Sequence, residues 1–523
     1  MAVEWKNLDE CSSFSKLEKI KLLNKDELVS ENILKRKAPA GSGLEFYYAS
    51  TLLGEKQLDL LKELAEEQQL IEKYKLLLDG ERINTGENRR VLHQLTRGRL
   101  GKDIVEDGIN IADFYREQLS RIENFAEKVH SGDIKGSTGR KFDTVVQIGI
   151  GGSDLGPRAM YLALKNKYPE KMKAFFVSNV DPDDAAEIIS LINPETTLFI
   201  LVSKSGTTQE TLANRDLILS KMKEKGIAGY NPDKHLIAVT SKTSPLAESS
   251  SVLDSFFIDD YIGGRYSSTS AVGGAVLSLA YGADVFKEFL AGANKADRNA
   301  LEEDIFKNAA MLDAMIGIYY RNILGFGAAA VLPYSQALSR FPAHLQQLDM
   351  ESNGKSVNRF GSKINYSTGP LIFGEPGTNG QHSFYQLLHQ GTDIIPLQFI
   401  GFEESQAGTD MEIEGSTSQT KLKANLAAQI TAFAKGSFNE NPNKNFEGGR
   451  PATLLKAKQL NAETLGALLA HFENKVMFQG FCWNINSFDQ EGVQLGKVLT
   501  KSVLSGSSND SVLNTFADIL KIR

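Results

Sequence analysis

TTLFILVSKSGTTQET, which runs from Thr196 to Thr211, joins an unbroken apolar run to a loop rich in hydroxyl groups. The apolar run from Leu198 to Val202 is too short for an amphipathic helix, and it predicts a strand buried on both faces. From Gln209 the sequence predicts a helix whose first amides face the loop. Strand, loop and helix in this order are typical of a parallel α/β sheet.

The loop after this strand has the groups that bind a phosphate. Gly206 lets backbone amides approach a ligand, and Lys204 supplies a positive charge. A hydroxyl-rich helix cap without a ligand is the alternative for any Ser/Thr cluster taken alone. We favour the phosphate site because strand, glycine and lysine all stand where an anion site needs them. Its predicted ligands are Ser203, Lys204, Ser205, Gly206, Thr207 and Thr208.

Composition and charge narrow the class of ligand. The chain has 523 residues, of which 41% are hydrophobic and 24% charged, as in globular proteins with several domains. A formal net charge of -7 leaves no general basic surface, so we expect a small metabolite and no nucleic acid. The N-terminus is charged where a signal peptide is apolar, and no apolar run approaches a membrane span, so we expect a cytoplasmic protein without a membrane partner. Cys11 and Cys482 form no zinc pattern and are expected to be reduced and non-catalytic.

Short apolar runs alternate with helical segments from Thr144 onward, which predicts an α/β fold with two doubly wound parallel-sheet lobes. Ligands of such sheets lie at the carboxyl ends of the strands. The predicted strands are 145–150, 174–178, 198–202 and 236–240 in the first lobe, and 328–332, 371–373 and 394–400 in the second. The predicted helices are 58–78, 109–129, 418–435 and 462–478, followed by a connector and terminal helix over 505–523.

The same rhythm predicts where the lobes begin and end. We expect three-layer αβα lobes with additional N- and C-terminal helices, and the absence of a low-complexity linker predicts that the lobes pack closely. The predicted parts are a helical N-terminal section of the large domain at 1–112, a small domain with the phosphate loop at 113–280, the rest of the large domain at 281–504, and a C-terminal arm at 505–523.

Two glycine-rich turns look like nucleotide-binding motifs but have the wrong spacing. A dinucleotide motif that begins at Gly149 needs glycine where Asp154 stands, so this turn is expected to present Gly152 and Ser153 to a smaller polar ligand. An ATP-binding motif that ends in Gly354-Lys355-Ser356 would need glycine at position 349, which is aspartate.

Several single residues are candidates for chemistry, each with an ordinary alternative. Arg265 is by default a surface ion pair, but beside a phosphate lobe it could stabilise a negatively charged intermediate. Glu351 is by default a solvated charge, and the alternative is a general base. His382 is a titratable group at a loop edge, and His389 lies two helical turns away, which is poor for joint metal binding. Lys497 is unremarkable by itself.

Six motifs together resemble the glucose-6-phosphate isomerase family, also called phosphoglucose isomerase, in order and separation from about Ile83 to Lys497. The resemblance implies two sugar-isomerase (SIS) lobes, glycolysis and gluconeogenesis in the cytoplasm, and a homodimer with active sites at the subunit boundary, where the partner chain donates the residue that matches His382. The motifs are GIGGSDLGP, SKSGTTQET, GGRYS, MESNGKS, GTNGQHSFYQLLHQGT and FDQEGVQLGK.

The resemblance also implies a role for each site residue. His382 and Lys497 would open the sugar ring, Glu351 would move a proton between C2 and C1 through a cis-enediol, and Arg265 would stabilise the enediolate. The residues that would position sugar hydroxyls are Gly152, Ser153, Gln347 and Gln490. No metal or cofactor is implied. One local departure is Ser268-Thr269, where the family commonly has a bulky pair after Arg-Tyr-Ser.

Three other functions compete with this one. A non-catalytic sensor of sugar phosphates would keep the phosphate loop but would not need Glu351, His382 or Lys497. The isomerase half of an amidotransferase would need an N-terminal cysteine, whereas Cys11 follows a charged leader. An isomerase that also accepts mannose 6-phosphate stays open, since the choice of epimer depends on pocket shape.

Overall fold

The computed structural model describes residues 3–20, 30–51 and 53–522. Two sheets with helices on both faces form its centre. Within these residues no helix is long and apolar enough to cross a membrane. The α-helices are Ser12–Leu17, Ser30–Lys35, Glu55–Glu67, Leu70–Leu78, Ile111–Ser131, Leu155–Leu164, Pro182–Leu191, Gln209–Glu224, Ala271–Tyr281, Ala283–Asn299, Ala309–Ile318, Phe341–Gln346, Tyr385–Gln390, Ser418–Lys435, Ala462–Cys482, Gln494–Leu504 and Ser511–Ile519.

The first sheet is entirely parallel, as predicted. Its central strand runs from Thr197 to Val202 with every residue buried, which confirms the apolar run as a two-sided strand. A fifth, short strand at the edge was not predicted from the sequence. In spatial order the strands are Lys173–Val177, Thr144–Ile148, Thr197–Val202, Leu236–Thr240 and Ser255–Phe257.

The central strand shows the layering, because successive side chains point to opposite faces of a sheet. Leu198, Ile200 and Val202 belong to the main core, which also includes the helix Ile111–Ser131. Phe199 and Leu201 pack with the helices on the other face, Pro182–Leu191 and Gln209–Glu224. The lobe is therefore the predicted three-layer αβα arrangement.

The second sheet is parallel only in part. Three of its four parallel strands lie where strands were predicted, the fourth, Ala452–Ala457, was not predicted, and two antiparallel strands from the N-terminal section extend the sheet. The section predicted as helical at 1–112 thus also contributes strands. Parts of two predicted sections lie outside the described residues: 1, 2, 21–29 and 52 of this section, and 523 of the C-terminal arm. The domain boundaries themselves stay a prediction. In spatial order the strands are Lys37–Gly41, Leu44–Tyr47, Ala452–Ala457, Leu397–Phe402, Ala328–Pro333 and Leu371–Phe373.

The single helix predicted at 58–78 is wrong, because the structure has two helices there, Glu55–Glu67 and Leu70–Leu78. Gln69 between them has φ 50°, a left-handed conformation that breaks the helix. The preceding Gln68 is buried, and its side-chain amide donates to the Cys482 carbonyl at 3.1 Å. Tertiary hydrogen bonding, rather than a glycine or proline, accompanies the break.

The helices Ala283–Asn299 and Ala462–Cys482 cross in backbone contact through two glycines. A Cβ on Gly466 would lie 1.9 Å from the Phe289 carbonyl oxygen, and one on Gly292 would lie 1.8 Å from the Glu463 carbonyl oxygen. No side chain fits at either position, so the crossing depends on both glycines.

We expect Gly466→Ala to lower the free energy of unfolding by about 1–3 kcal/mol, because the added methyl must push two helix backbones apart. Urea denaturation followed by circular dichroism measures the change. Gly496→Ala is the matched control, since Gly496 also lies in a helix but has open space around it. Equal stability of Gly466→Ala and the unaltered protein would contradict the close crossing.

Candidate active site

The predicted phosphate loop follows the central strand of the first sheet and leads into the helix Gln209–Glu224. Gly206 has φ +68°, and its amide donates to the Ser203 hydroxyl at 3.1 Å, which folds the loop back on itself. The Thr208 hydroxyl lies 3.0 Å from that of Ser203, while Ser205 and Thr207 are exposed. The loop therefore presents hydroxyls and helix-end amides at the carboxyl edge of the sheet.

Lys204 belongs to this loop, and its ammonium group is bound by residues that precede the Arg265 turn. Its Nζ donates to the Ile262 carbonyl at 2.9 Å and lies 3.8 Å from the carboxylate of Asp260. Burial lowers the pKa of Lys204, and the nearby Asp260 acts against that shift. These contacts join the loop to the turn that carries Arg265.

The turn with Gly152 and Ser153 touches the turn before Arg265. A Cβ on Gly152 would lie 2.1 Å from the carbonyl carbon of Gly264, so the two backbones are in direct contact. The carbonyl of Ser153 accepts from the side chain of Gln147 at 2.7 Å. A Cβ on Gly151 would lie 3.4 Å from Nε2 of Gln347, which brings a second-lobe side chain to this turn.

Arg265 is fully buried at the junction of the lobes. Its Nε donates to the Ser352 hydroxyl at 2.6 Å, and Nη2 donates to the carbonyls of Ser487 at 2.6 Å and Asp489 at 3.0 Å. Its Nη1 lies 3.5 Å from Oε2 of Glu351. Three hydrogen bonds from two of its nitrogens thus leave the third, Nη1, next to the predicted base.

Glu351 and Gln347 stand at the two ends of one π-helical turn, Gln347–Glu351, a feature often found at functional sites. Glu351 Oε2, Gln347 Oε1 and Arg265 Nη1 are buried and have no hydrogen-bond partner among the residues that the structure describes. Buried polar atoms are normally paired, so these three atoms are available to hydrogen-bond a polar ligand.

His382, Gln490 and Lys497 are exposed, unlike the pair just described. Within the described residues, neither His382 nor Lys497 has a hydrogen bond or ion pair with Arg265 or Glu351. Gln490 follows Asp489, whose carbonyl Arg265 holds, so its backbone lies next to the site. One chain therefore brings together the phosphate loop, Arg265, Glu351 and Gln347, and leaves the two predicted ring-opening groups on its surface.

The sequence prediction missed the residues that hold Arg265, namely Ser352, Ser487 and Asp489. The available signal was their position, since Ser352 follows Glu351 and Ser487 and Asp489 precede Gln490. At the departure, Ser268 and Thr269 are both buried, and the Ser268 hydroxyl lies 2.1 Å from where a Cβ on Gly156 would stand, so the absence of a side chain at Gly156 leaves room for it.

A model of the family described as phosphoglucose isomerase matches residues 47–519 of this chain. The chain belongs to the phosphoglucose isomerase family. It is 60% identical over 528 aligned positions to glucose-6-phosphate isomerase from Treponema denticola, covering 99% of this chain and 100% of that one. Borreliella afzelii has a glucose-6-phosphate isomerase that is 48% identical over 98% of both chains. The crystal structure of a glucose-6-phosphate isomerase from Chlamydia trachomatis superposes with a TM-score of 0.92 at 43% identity, covering 99% of this chain and 100% of that one.

We expect Gly152→Ala to lower kcat/KM by about 100-fold or more, because its methyl group must displace the turn that carries Arg265. Gly264→Ala is the matched control, since a Cβ there meets Gly152 Cα at 3.5 Å and Gly152 N at 3.8 Å, both ordinary van der Waals distances. Steady-state kinetics of both variants give kcat/KM. Equal losses of kcat/KM in the two variants would contradict the prediction.

Proposed function

We propose that this chain interconverts glucose 6-phosphate and fructose 6-phosphate, as an aldose-ketose isomerase of glycolysis and gluconeogenesis. The observation that carries the proposal is the pair of Glu351 and Arg265, 3.5 Å apart, each with a buried atom that has no hydrogen-bond partner in the described chain. A coupled assay on the purified protein with glucose 6-phosphate tests it. Mannose 6-phosphate and glucosamine 6-phosphate in the same assay test the competing substrates.

The reaction moves a proton between adjacent carbons, and the pair has one group for each need. The Glu351 carboxylate takes the proton from C2 and returns it to C1, which requires a base within reach of both carbons. Negative charge develops on the oxygens of the cis-enediol during this transfer. The guanidinium of Arg265, which stays protonated, is placed to stabilise that charge.

The phosphate loop fixes the far end of the substrate. Its ligands in this proposal are Ser203, Lys204, Ser205, Gly206, Thr207 and Thr208, while Gly152, Ser153, Gln347 and Gln490 bind sugar hydroxyls. Holding the phosphate far from the reacting carbons aligns them with Glu351, and such alignment lowers barriers by several kcal/mol.

Ring opening in this proposal uses Lys497 and the residue His382 of the partner subunit, in a homodimer. The exposed position of His382 suits a group that serves a neighbouring chain. The segment after Asp489 also supports a dimer, because its apolar side chains are exposed and would be covered by a second copy. They include Leu495, Val498, Leu504, Val512, Phe516, Ile519 and Leu520. We further propose a cytoplasmic location, which agrees with two free cysteines.

Glu351→Gln should lower kcat by about 100-fold or more, because an amide cannot accept the C2 proton. Binding of a non-reacting sugar phosphate such as 6-phosphogluconate, measured by calorimetry, should change by less than about threefold. Glu404→Gln, at an exposed glutamate, is the control and should keep full activity. Normal turnover by Glu351→Gln would refute the base assignment.

His382→Ala should harm turnover of cyclic glucose 6-phosphate by about tenfold more than turnover of an open-chain substrate, since only the ring needs an acid and a base to open. The 5-deoxy analogue of fructose 6-phosphate serves as that substrate, because it has no C5 hydroxyl to close the ring. Equal losses on both would reject a role of His382 in ring opening.

A further inference from the structure

The chain leaves the folded body immediately after Asp489. Residues 481–488 are buried, whereas residues 490–498 are all exposed. The helix Gln494–Leu504, which carries Lys497, has only Val503 buried. Within a single chain, the direction of this helix therefore depends on what holds the last buried residues before it.

Asp489 is the last held residue, and three groups fix it. Lys355 Nζ lies 2.5 Å from one carboxylate oxygen of Asp489, and both side chains are only 16% exposed. The other carboxylate oxygen accepts from the Asn486 side chain at 2.7 Å. The Asp489 carbonyl accepts from Lys355 Nζ at 3.2 Å and from Arg265 Nη2 at 3.0 Å.

Lys355 belongs to the same short segment as the base. Between them, Ser352 accepts from Arg265, and the side-chain oxygen of Asn353 accepts from the Ser487 hydroxyl at 2.7 Å. Lys355 is itself anchored, since its carbonyl accepts from the Thr368 hydroxyl at 2.7 Å. The five consecutive residues 351–355 thus include the base at one end and, at the other, the lysine that holds Asp489, where the chain leaves the folded body.

We propose that Lys355 is a positioning residue whose ion pair with Asp489 aims the departing chain, and so places Gln490 and Lys497 on the substrate that Glu351 deprotonates. This inference rests on the ring-opening role proposed for Lys497. Lys355 need not touch the substrate, because it acts by fixing the distance between the segment that carries Glu351 and the helix that carries Lys497. Burial lowers the pKa of Lys355, and the carboxylate of Asp489 opposes that shift and favours the charged ammonium.

An ion pair that only stabilises the fold would affect every step of the reaction alike. A pair that aims the chain after Asp489 instead affects ring opening more than proton transfer, since the contact of Arg265 with Glu351 and its hydrogen bonds to Ser352 and Ser487 do not involve Lys355 or Asp489. The ratio of activities on cyclic and open-chain substrates separates the two cases.

The test compares Lys355→Met with Asp489→Asn in the full-length protein. Each should lower kcat on cyclic glucose 6-phosphate by about 10-fold or more and kcat on the 5-deoxy analogue of fructose 6-phosphate by less than about threefold. The double variant should lose no more than the worse single variant, because both changes break one pair. Lys355→Arg, which keeps the charge, should recover part of the ring-opening rate.

Lys475→Met is the matched control. Lys475 also forms a buried ion pair, 3.3 Å from Asp313, but this pair does not involve Asp489 or the chain that follows it. It should leave the ratio of the two activities unchanged. Lys497→Met, run beside it, shows whether the assay reports ring opening: equal losses of this variant on both substrates would refute the role of Lys497, and with it the inference.

Hydrogen exchange gives a reading that does not depend on the chemistry. Lys355→Met should speed exchange of the amides at 486–493 by about tenfold or more, while the helix Ala462–Cys482 keeps its protection. Unchanged exchange at 486–493, or equal loss of both activities in Lys355→Met while Lys497→Met spares the open-chain substrate, would overturn the positioning role and leave the proposed isomerase intact.

Discussion

A buried guanidinium holds the two halves of this molecule in register. Arg265 belongs to a turn of the first lobe, yet it donates to Ser352 and to the carbonyls of Ser487 and Asp489 in the second. A buried charge is costly unless it is hydrogen-bonded, so the segments that accept hydrogen bonds from Arg265 must all be in place at once. The candidate site consequently exists only when both lobes have folded and docked.

This dependence explains why the groups of the site are distributed as they are. The phosphate loop and the Gly152 turn follow strands of the first sheet, whereas Gln347 and Glu351 come from a π-helical turn of the second lobe. The backbone contact of Gly152 with Gly264 and the proximity of Gln347 to Gly151 hold the groups of the two lobes together. In the proposed reaction, the spacing between these groups has to match the length of a sugar phosphate from its phosphate to its reacting carbons.

The sequence predicted best where a local pattern decides the structure. The apolar runs at Leu198 and Leu371 became strands, and the helix at 418–435 was found to the residue. The strand Lys37–Gly41 was missed because it is a short edge strand with a proline, and Leu44–Tyr47 was missed because it has only four residues, one of them a glutamate. The break at Gln69 was missed because it depends on a hydrogen bond from Gln68 to Cys482, far away in sequence.

For the candidate site, the resemblance supplied residue types and roles, and the structure supplied their spatial relations. No local pattern could reveal that Ser352 and Asp489 share one arginine, because those contacts span more than 80 residues. The exposed positions of His382 and Lys497 likewise follow from how the single chain folds.

The antiparallel pairing of Leu44–Tyr47 with Ala452–Ala457 has a consequence for synthesis of the protein. Roughly 400 residues separate these strands, so at typical ribosome speeds the earlier one waits on the order of 20–80 s for its neighbour to emerge. The first sheet, by contrast, uses only residues 144–257 and can finish during that wait. The nascent chain thus carries an unpaired strand edge beside a completed lobe, and it is during this interval that a molecular chaperone has most to protect.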